Sequence, residues 1–186
     1  MASTLSYILG RTKVNKPSPR WGHYAAQVGG RCFLWGGRVP DFSASGRKKL
    51  ASTVEIFDPY MEVWEQKATT GVSPPGLYDG ACASISDQLY SFGGYDGTSL
   101  YNSLHTMDPT SLEWKEVRVL NQDDLPMKKL ACRMVAYNQD RLALLGGFGI
   151  PTGPAQPGVR FIRDTSIPGA MGWTEEFHIF NINEGV

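Results

Sequence analysis

The chain has 186 residues, and its 18 Lys+Arg balance 18 Asp+Glu to a formal net charge of zero, so no global field draws it to nucleic acid or to a membrane surface. Apolar residues make up 41% and charged residues 19%, which supports a packed core and excludes a disordered chain, while 21 Gly and 12 Pro fit many short strands joined by turns. No apolar run approaches the ~18 residues of a membrane span, and the opening residues Met1 to Gly10 lack both a basic leader and a long apolar stretch, so the expectation is an intracellular protein, cytoplasmic or nuclear.

In chain order, residues 1–18 read as an N-terminal tail, in which Leu5 to Leu9 alternates weakly and offers an outer strand to another unit. A first repeat unit spans 19–72. Arg20-Trp-Gly-His23 opens it as a turn, with Arg20 expected to reach a neighbouring unit, and His23 to Val28 pairs through Gly29-Gly-Arg31 with Phe33-Leu-Trp-Gly-Gly37. Arg47-Lys-Lys49 falls in a long loop and reads as solvated; Val54 to Pro59 is a third strand and Val63-Trp64-Glu65 a fourth. A second unit, 73–126, repeats the order with Gly80 to Ile85, Tyr90-Ser-Phe-Gly-Gly94, Leu104 to Pro109 and Glu113-Trp114-Lys115. The third, 127–186, has Leu130 to Val135, Ala143-Leu-Leu-Gly-Gly147, a Gly/Pro-rich insertion over 148–173, and Phe177 to Ile182. It lacks an outer strand with its Trp, and on that pattern the sequence looks truncated.

An apolar triplet followed by Gly-Gly thus recurs with a period of about 55 residues. Gly36, Gly37, Gly93, Gly94, Gly146 and Gly147 end buried strands where a side chain would forbid the backbone angles or the close approach of a neighbouring sheet. Trp64 and Trp114 cover sheet edges. A twisted four-stranded sheet cannot bury both faces alone, so the units must stack face to face, and radial stacking gives a propeller. Three units are fewer than the 4–8 that close a ring, so the expectation is an open all-β segment that associates.

The Gly-Gly pairs, the Asp-Pro strand ends and the Trp downstream resemble the kelch repeat, a β-propeller family with one blade per repeat. The third unit, through Lys128-Lys-Leu130, Gly146-Gly-Phe-Gly149 and Gly172-Trp173, is similar to the third blade of kelch substrate receptors of cullin-RING ubiquitin ligases. That resemblance implies a propeller mouth that holds C-terminal peptide tails, pocket positions at Lys129, Phe148 and Trp173, and a cullin-RING adaptor bound through a part outside this chain. Phe148 stands where the family expectation is a tyrosine, and the arginines that clamp a terminal carboxylate belong to later blades. The alternatives are a kelch scaffold for a folded partner, such as a small GTPase or a cytoskeletal protein, and a fragment without independent function.

Catalytic chemistry finds no foothold in the pattern. His23, His105 and His178 are the three histidines, and His105 and His178 fall at equivalent third-strand positions, which makes them repeat neighbours instead of joint metal ligands. The Tyr–Cys and paired-His set of copper-radical oxidases is not recognisable, a Gly-x-Ser-x-Gly elbow is missing, and the double glycines are not followed by helices, which removes a nucleotide loop. Cys32, Cys82 and Cys132 stand 50 residues apart, but their offsets from the Gly-Gly pairs differ, so they read as reduced and mostly buried thiols. Ser18-Pro19 and Ser73-Pro74 are ordinary turn composition. The sequence therefore predicts a protein-binding module and not an enzyme, with no cofactor and no metal.

Overall fold

The structure, a computed structural model, describes residues 16–40, 49–50, 53–118, 125–153 and 157–182, all in strands, turns and irregular segments. The weak strand over Leu5 to Leu9 and most of the Arg47-Lys-Lys49 loop lie outside these residues; Lys49 begins a short strand.

Four strands, β1 (Tyr24–Val28), β2 (Arg31–Trp35), β5 (Val54–Asp58) and β6 (Val63–Lys67), form the first antiparallel sheet in the order β1-β2-β5-β6. Between β2 and β5, β3 (Arg38–Val39) pairs with β4 (Lys49–Leu50) as a separate two-stranded ribbon. The second sheet, β8 (Ala81–Ile85), β9 (Gln88–Tyr95), β10 (Leu100–Met107) and β11 (Glu113–Val117), is extended by β7 (Thr70–Gly71), which lies parallel to β11. The third sheet contains β13 (Arg133–Ala136), β14 (Arg141–Leu145) and β18 (Phe177–Asn181), with no fourth strand among the described residues.

Residues 148–173 are not the irregular insertion that their Gly/Pro content suggests. β12 (Lys128–Leu130), β15 (Phe148–Ile150), β17 (Gly172–Thr174) and β16 (Phe161–Arg163) form a second small sheet in the order β12-β15-β17-β16. Glycine makes this compact ladder possible: a Cβ on Gly149 or Gly172 would collide with the backbone of Lys128 or Ile162 in the adjoining strand.

Two apolar layers join the sheets. Tyr24, Phe33, Trp35, Val54 and Ile56 of the first sheet pack on Leu89, Met107 and Trp114 of the second. Ala81, Ala83, Tyr90, Phe92 and Leu104 on the other side of the second pack on Met134, Leu142, Leu144 and Phe180 of the third. Trp114 is buried and meets Trp35 at a ring separation of 5.8 Å, whereas Trp64 is half-buried against Phe57 at 5.2 Å. None of the sheets closes into a ring, and the architecture is an all-β stack of antiparallel sheets, as in part of a propeller.

The glycine pairs are where successive sheets touch. Gly36 and Gly93 have φ of +62° and +60°, and a Cβ there would lie 2.6 Å from the Leu77 carbonyl and 2.7 Å from the Lys129 carbonyl, each belonging to the next unit. A second tie runs along the inner rim, where the Asp79 amide donates to the Gly22 carbonyl at 2.7 Å and the Ala131 amide to the Asp79 carbonyl at 2.6 Å. Gly22, Asp79 and Ala131 hold φ of +63°, +58° and +55°, so one left-handed turn recurs at the same point of every unit.

Tyr24 adds a third link by donating its hydroxyl to the Gly93 carbonyl at 2.7 Å. Burial raises its pKa well above the ordinary tyrosine value, with Cys132 and Cys82 adding to the shift. The folded chain thus holds this proton more tightly than the unfolded one, so its contribution is whole below pH ~10 and is lost as the pH climbs beyond it. Tyr24→Phe is expected to cost about 1 kcal/mol at pH 8, and to flatten the loss of stability above pH ~10 relative to the parent, as measured by urea midpoints at the two pH values.

Candidate functional site

Strand direction gives the sheets two unlike ends. At one end lie tight turns: Gly29-Gly30 between β1 and β2, with φ of +56° and +77°, and Ser86-Asp87 between β8 and β9, with φ of +49° and +57°. At the other lie the connections from β2 to β5, from β9 to β10 and from β14 to β18, together with the segments that enter β1, β8 and β13. Long connections carried on rigid sheets are where binding residues collect.

Three groups of side chains occupy this end. The first surrounds Arg20, which bonds the Glu55 carboxylate and donates to the Gly36 carbonyl at 3.1 Å, with Ser18 N donating to Glu55 Oε2 at 3.0 Å. Arg20 thus stays inside its own unit, contrary to the expected reach to a neighbour, because β5 of the same sheet brings Glu55 under it. Burial lowers the Arg20 pKa against the opposing pull of Glu55, and the guanidinium in turn joins burial in lowering the pKa of His23.

In the second group, the Arg38 guanidinium lies 4.6 Å from the Tyr78 ring centroid and 5.7 Å from that of Trp21, and Tyr78 stands edge-on to both Trp21 and Tyr95. Arg38 Nε is buried with no acceptor among the described residues. Beside this group a cleft of about 460 Å³ is lined by His23, Asp79, Cys82 and Arg133, which come from all three units. Burial raises the Asp79 pKa, and Arg133 and Arg38 oppose that rise. Nothing in the sequence marks this convergence apart from Asp79-Gly80, a turn dipeptide.

The third group is the small ladder of the third unit. Lys129 is fully buried, and its Nζ lies 2.5 Å from Glu176 Oε2, while Met127 N donates to Glu176 Oε1 at 3.3 Å. Lys129 therefore sits beneath the ladder, where it does not meet solvent. Its neighbour on β12 does the opposite, because alternate residues of a strand face opposite sides. Lys128 pairs with Ile150, Leu130 with Phe148, Phe148 with Trp173, and Trp173 with Ile162, so these six residues share the ladder's outer face. Lys128 is exposed, Trp173 is 54% exposed, and the Phe148 and Trp173 ring centroids stand 4.8 Å apart. The structure thus unites Phe148 and Trp173 on one surface and separates Lys129 from them. A groove lined by Tyr95, Leu100, Lys128, Leu130, Ile150 and Met171 runs along this face against the second unit.

His105 and His178 do take equivalent places, opposite Ser91 and Leu144, and His105 is buried with its pKa lowered by burial against the pull of Glu116. Cys132 is buried, Cys82 half-buried and Cys32 exposed, so one thiol departs from the expected burial. Burial pushes the Cys132 thiol up to about 11. Among the described residues no group of three or more His, Cys, Asp or Glu is placed to hold a metal ion, and no helix is long and apolar enough to cross a membrane.

Comparison with known proteins agrees with this architecture. The KLHDC2/KLHL20/DRC7 Kelch-repeats domain matches residues 2–153. Kelch domain-containing protein 3 of Bos taurus is 28% identical over 149 residues, covering 78% of this chain and 38% of the relative. Kelch domain-containing protein 1 of Homo sapiens is 28% identical over 178 residues, covering 87% and 41%. The tRNA wybutosine-synthesizing protein 2/3/4 of Arabidopsis thaliana is 31% identical over 106 residues, 57% of this chain and 10% of that protein. The chain spans about two fifths of the length of the first two relatives.

Proposed function

The chain belongs to the kelch-repeat family, whose repeats are generally non-enzymatic interaction domains, and from that premise we propose that it binds a peptide tail along the outer face of the third unit's ladder, as a receptor for a ubiquitin ligase does. The chain supplies recognition and no chemistry of its own. Trp173 carries the reading: a large ring, 54% exposed, is held by two flanking strands and backed by Phe148. An aromatic displayed on a hydrogen-bonded ladder offers contact area with little rotamer entropy to lose. Lys128 supplies a cation on the same face, and the buried Lys129–Glu176 pair fixes the ladder from below.

The test is fluorescence polarisation of the full chain against a library of labelled peptides with free C-termini, each matched by an amidated control. Trp173→Ala is expected to weaken the peptides that bind by 1–3 kcal/mol, roughly 5- to 150-fold, with melting unchanged because the side chain is exposed. Lys128→Ala should weaken free-carboxylate peptides more than amidated ones. Unchanged affinity in both variants would move the binding surface off the ladder and favour a scaffold for a folded partner.

A further inference from the structure

Each Gly-Gly pair is followed by a residue that pairs with the segment entering its unit: Arg38 with Trp21, Tyr95 with Tyr78, and Phe148 with Leu130. The three pairs are equivalent by register. In the third unit the pair lies on the outer face of the ladder, so Trp21 with Arg38 and Tyr78 with Tyr95 carry the same face across the first and second units. Side chains join the pairs into one surface. The Arg38 guanidinium reaches out of its own unit to the Tyr78 ring, and Tyr95 in turn lines the groove opposite Lys128, Leu130 and Ile150.

The Arg38 guanidinium is held in place yet unsatisfied. Tyr78 and Trp21 hold it through their rings, contacts that use none of its N–H groups. Its buried Nε–H has no acceptor among the described residues, and a buried donor left unbonded is a cost that native structures seldom carry. No carboxylate among those residues forms an ion pair with it either. The nearby acids are turned elsewhere: the Asp79 carboxylate lies against Gly22, and that of Asp96 accepts from the Thr98 and Ser99 amides and the Tyr101 hydroxyl. A carboxylate from outside suits this position, because its two oxygens match the fork of N–H donors that a guanidinium presents.

We infer that Arg38 takes the carboxylate of an acidic side chain from the peptide bound along this face, so that the chain recognises acidic tails. The inference rests on the peptide reading of the ladder and adds a second anchor to it. On that reading Lys128 meets the terminal carboxylate. The same carboxylate cannot also meet Arg38, because the Tyr78 and Tyr95 rings and the groove lie between the two cations. An extended peptide that crosses the groove from Lys128 instead brings a side chain upstream of its terminus to Arg38.

Fluorescence polarisation of the full chain tests this with two sets of short labelled peptides with free C-termini, identical except that one upstream position, scanned in turn, is Glu in the first set and Gln in the second. The parent is expected to prefer Glu at one position by about 10- to 150-fold, the range for a hydrogen bond to a charged group. Arg38→Gln should abolish that preference, and Arg38→Lys, which keeps the charge and loses the fork, should reduce it. Melting should not change in either, because the backbone bonds between Arg38 and Trp21 remain. Trp173→Ala should weaken both sets alike and leave their ratio intact. In heteronuclear NMR spectra, the Nε–H signal lost in Arg38→Lys should move downfield with the Glu set and stay in place with the Gln set. Equal affinity for the two sets, or a Glu preference that survives Arg38→Gln, would overturn the acidic-tail assignment while leaving the ladder in place if Trp173→Ala still weakened binding. So would an Arg38→Gln variant that lost only its preference for free over amidated termini, which would put the terminus at Arg38. If neither set bound, the peptide reading itself would fall, and this inference with it.

Discussion

Replacing Gly93 and Gly94 together by Val is expected to abolish soluble expression of the chain. Both residues lie at positive φ, +60° and +109°, which a β-branched side chain adopts only at a cost of about 1–3 kcal/mol per residue. Space is lacking as well. A Cβ on Gly93 would stand 2.7 Å from the Lys129 carbonyl, and one on Gly94 would run into the Tyr24 hydroxyl, which is itself bonded to the Gly93 carbonyl. The substitution thus pushes the first and third units off the second at the same time. Strain and steric expulsion together are of the order of the ~5–15 kcal/mol that ordinarily separates folded from unfolded chains. Fractionation of soluble and insoluble protein, with Gly29→Val and Gly30→Val as tight-turn controls that meet no atom within 4 Å, separates lost packing from the general penalty of Val at positive φ. Soluble protein that melts like the parent would remove the packing role from the glycine pair.

Breaking the buried pair beneath the ladder is expected to have the next largest effect. Lys129→Ala leaves the Glu176 carboxylate, 5% exposed, with the Met127 amide as its one hydrogen-bond donor among the described residues, and an uncompensated buried charge costs about 3–5 kcal/mol. Lys129→Met with Glu176→Leu removes both charges while keeping most of the volume, and should return stability to within about 1 kcal/mol of the parent. Urea unfolding of the two variants and the parent provides the comparison. Equal losses in both variants would mean that the cost is packing and not charge. The same cycle bears on function: Lys129→Ala should lower peptide affinity only in proportion to the loss of folded ladder, whereas Lys128→Ala should do so at full stability.

The repeat was legible because it is written in residues with local conformational meaning. Gly-Gly before a break, Asp-Pro at a strand end and Trp on an outer strand each constrain the backbone where they stand, and β2, β5, β9, β10 and β14 follow from them, while β18 follows from its place in the repeat. The ladder of the third unit was not legible, since Phe148–Ile150, Phe161–Arg163 and Gly172–Thr174 are strands of three residues separated by long polar stretches, too short for alternation to show. Lys129 illustrates the harder limit. In Lys128-Lys129 the two side chains are identical and adjacent, and only the pairing of β12 with β15 decides which one is buried. Glu176 carries no local signal, because its partner lies 47 residues away. Arg20 reads from the sequence as a bridge between units for the same reason, whereas its carboxylate partner, Glu55, lies on its own sheet.

The three separately paired sheets are joined by the two apolar layers and by the inner rim, where the Asp79 and Ala131 amides cross from one unit to the next. Native-state hydrogen exchange at these two amides measures the crossing directly. Coupled sheets predict that both exchange only through global opening, with the same free energy as the amides of Leu89 in β9 and Leu142 in β14. Exchange at Asp79 or Ala131 as fast as at the exposed turn amide of Asp87, while the strands stay protected, would show that the sheets are tethered neighbours and would contradict the stacked propeller on which the proposed binding face rests.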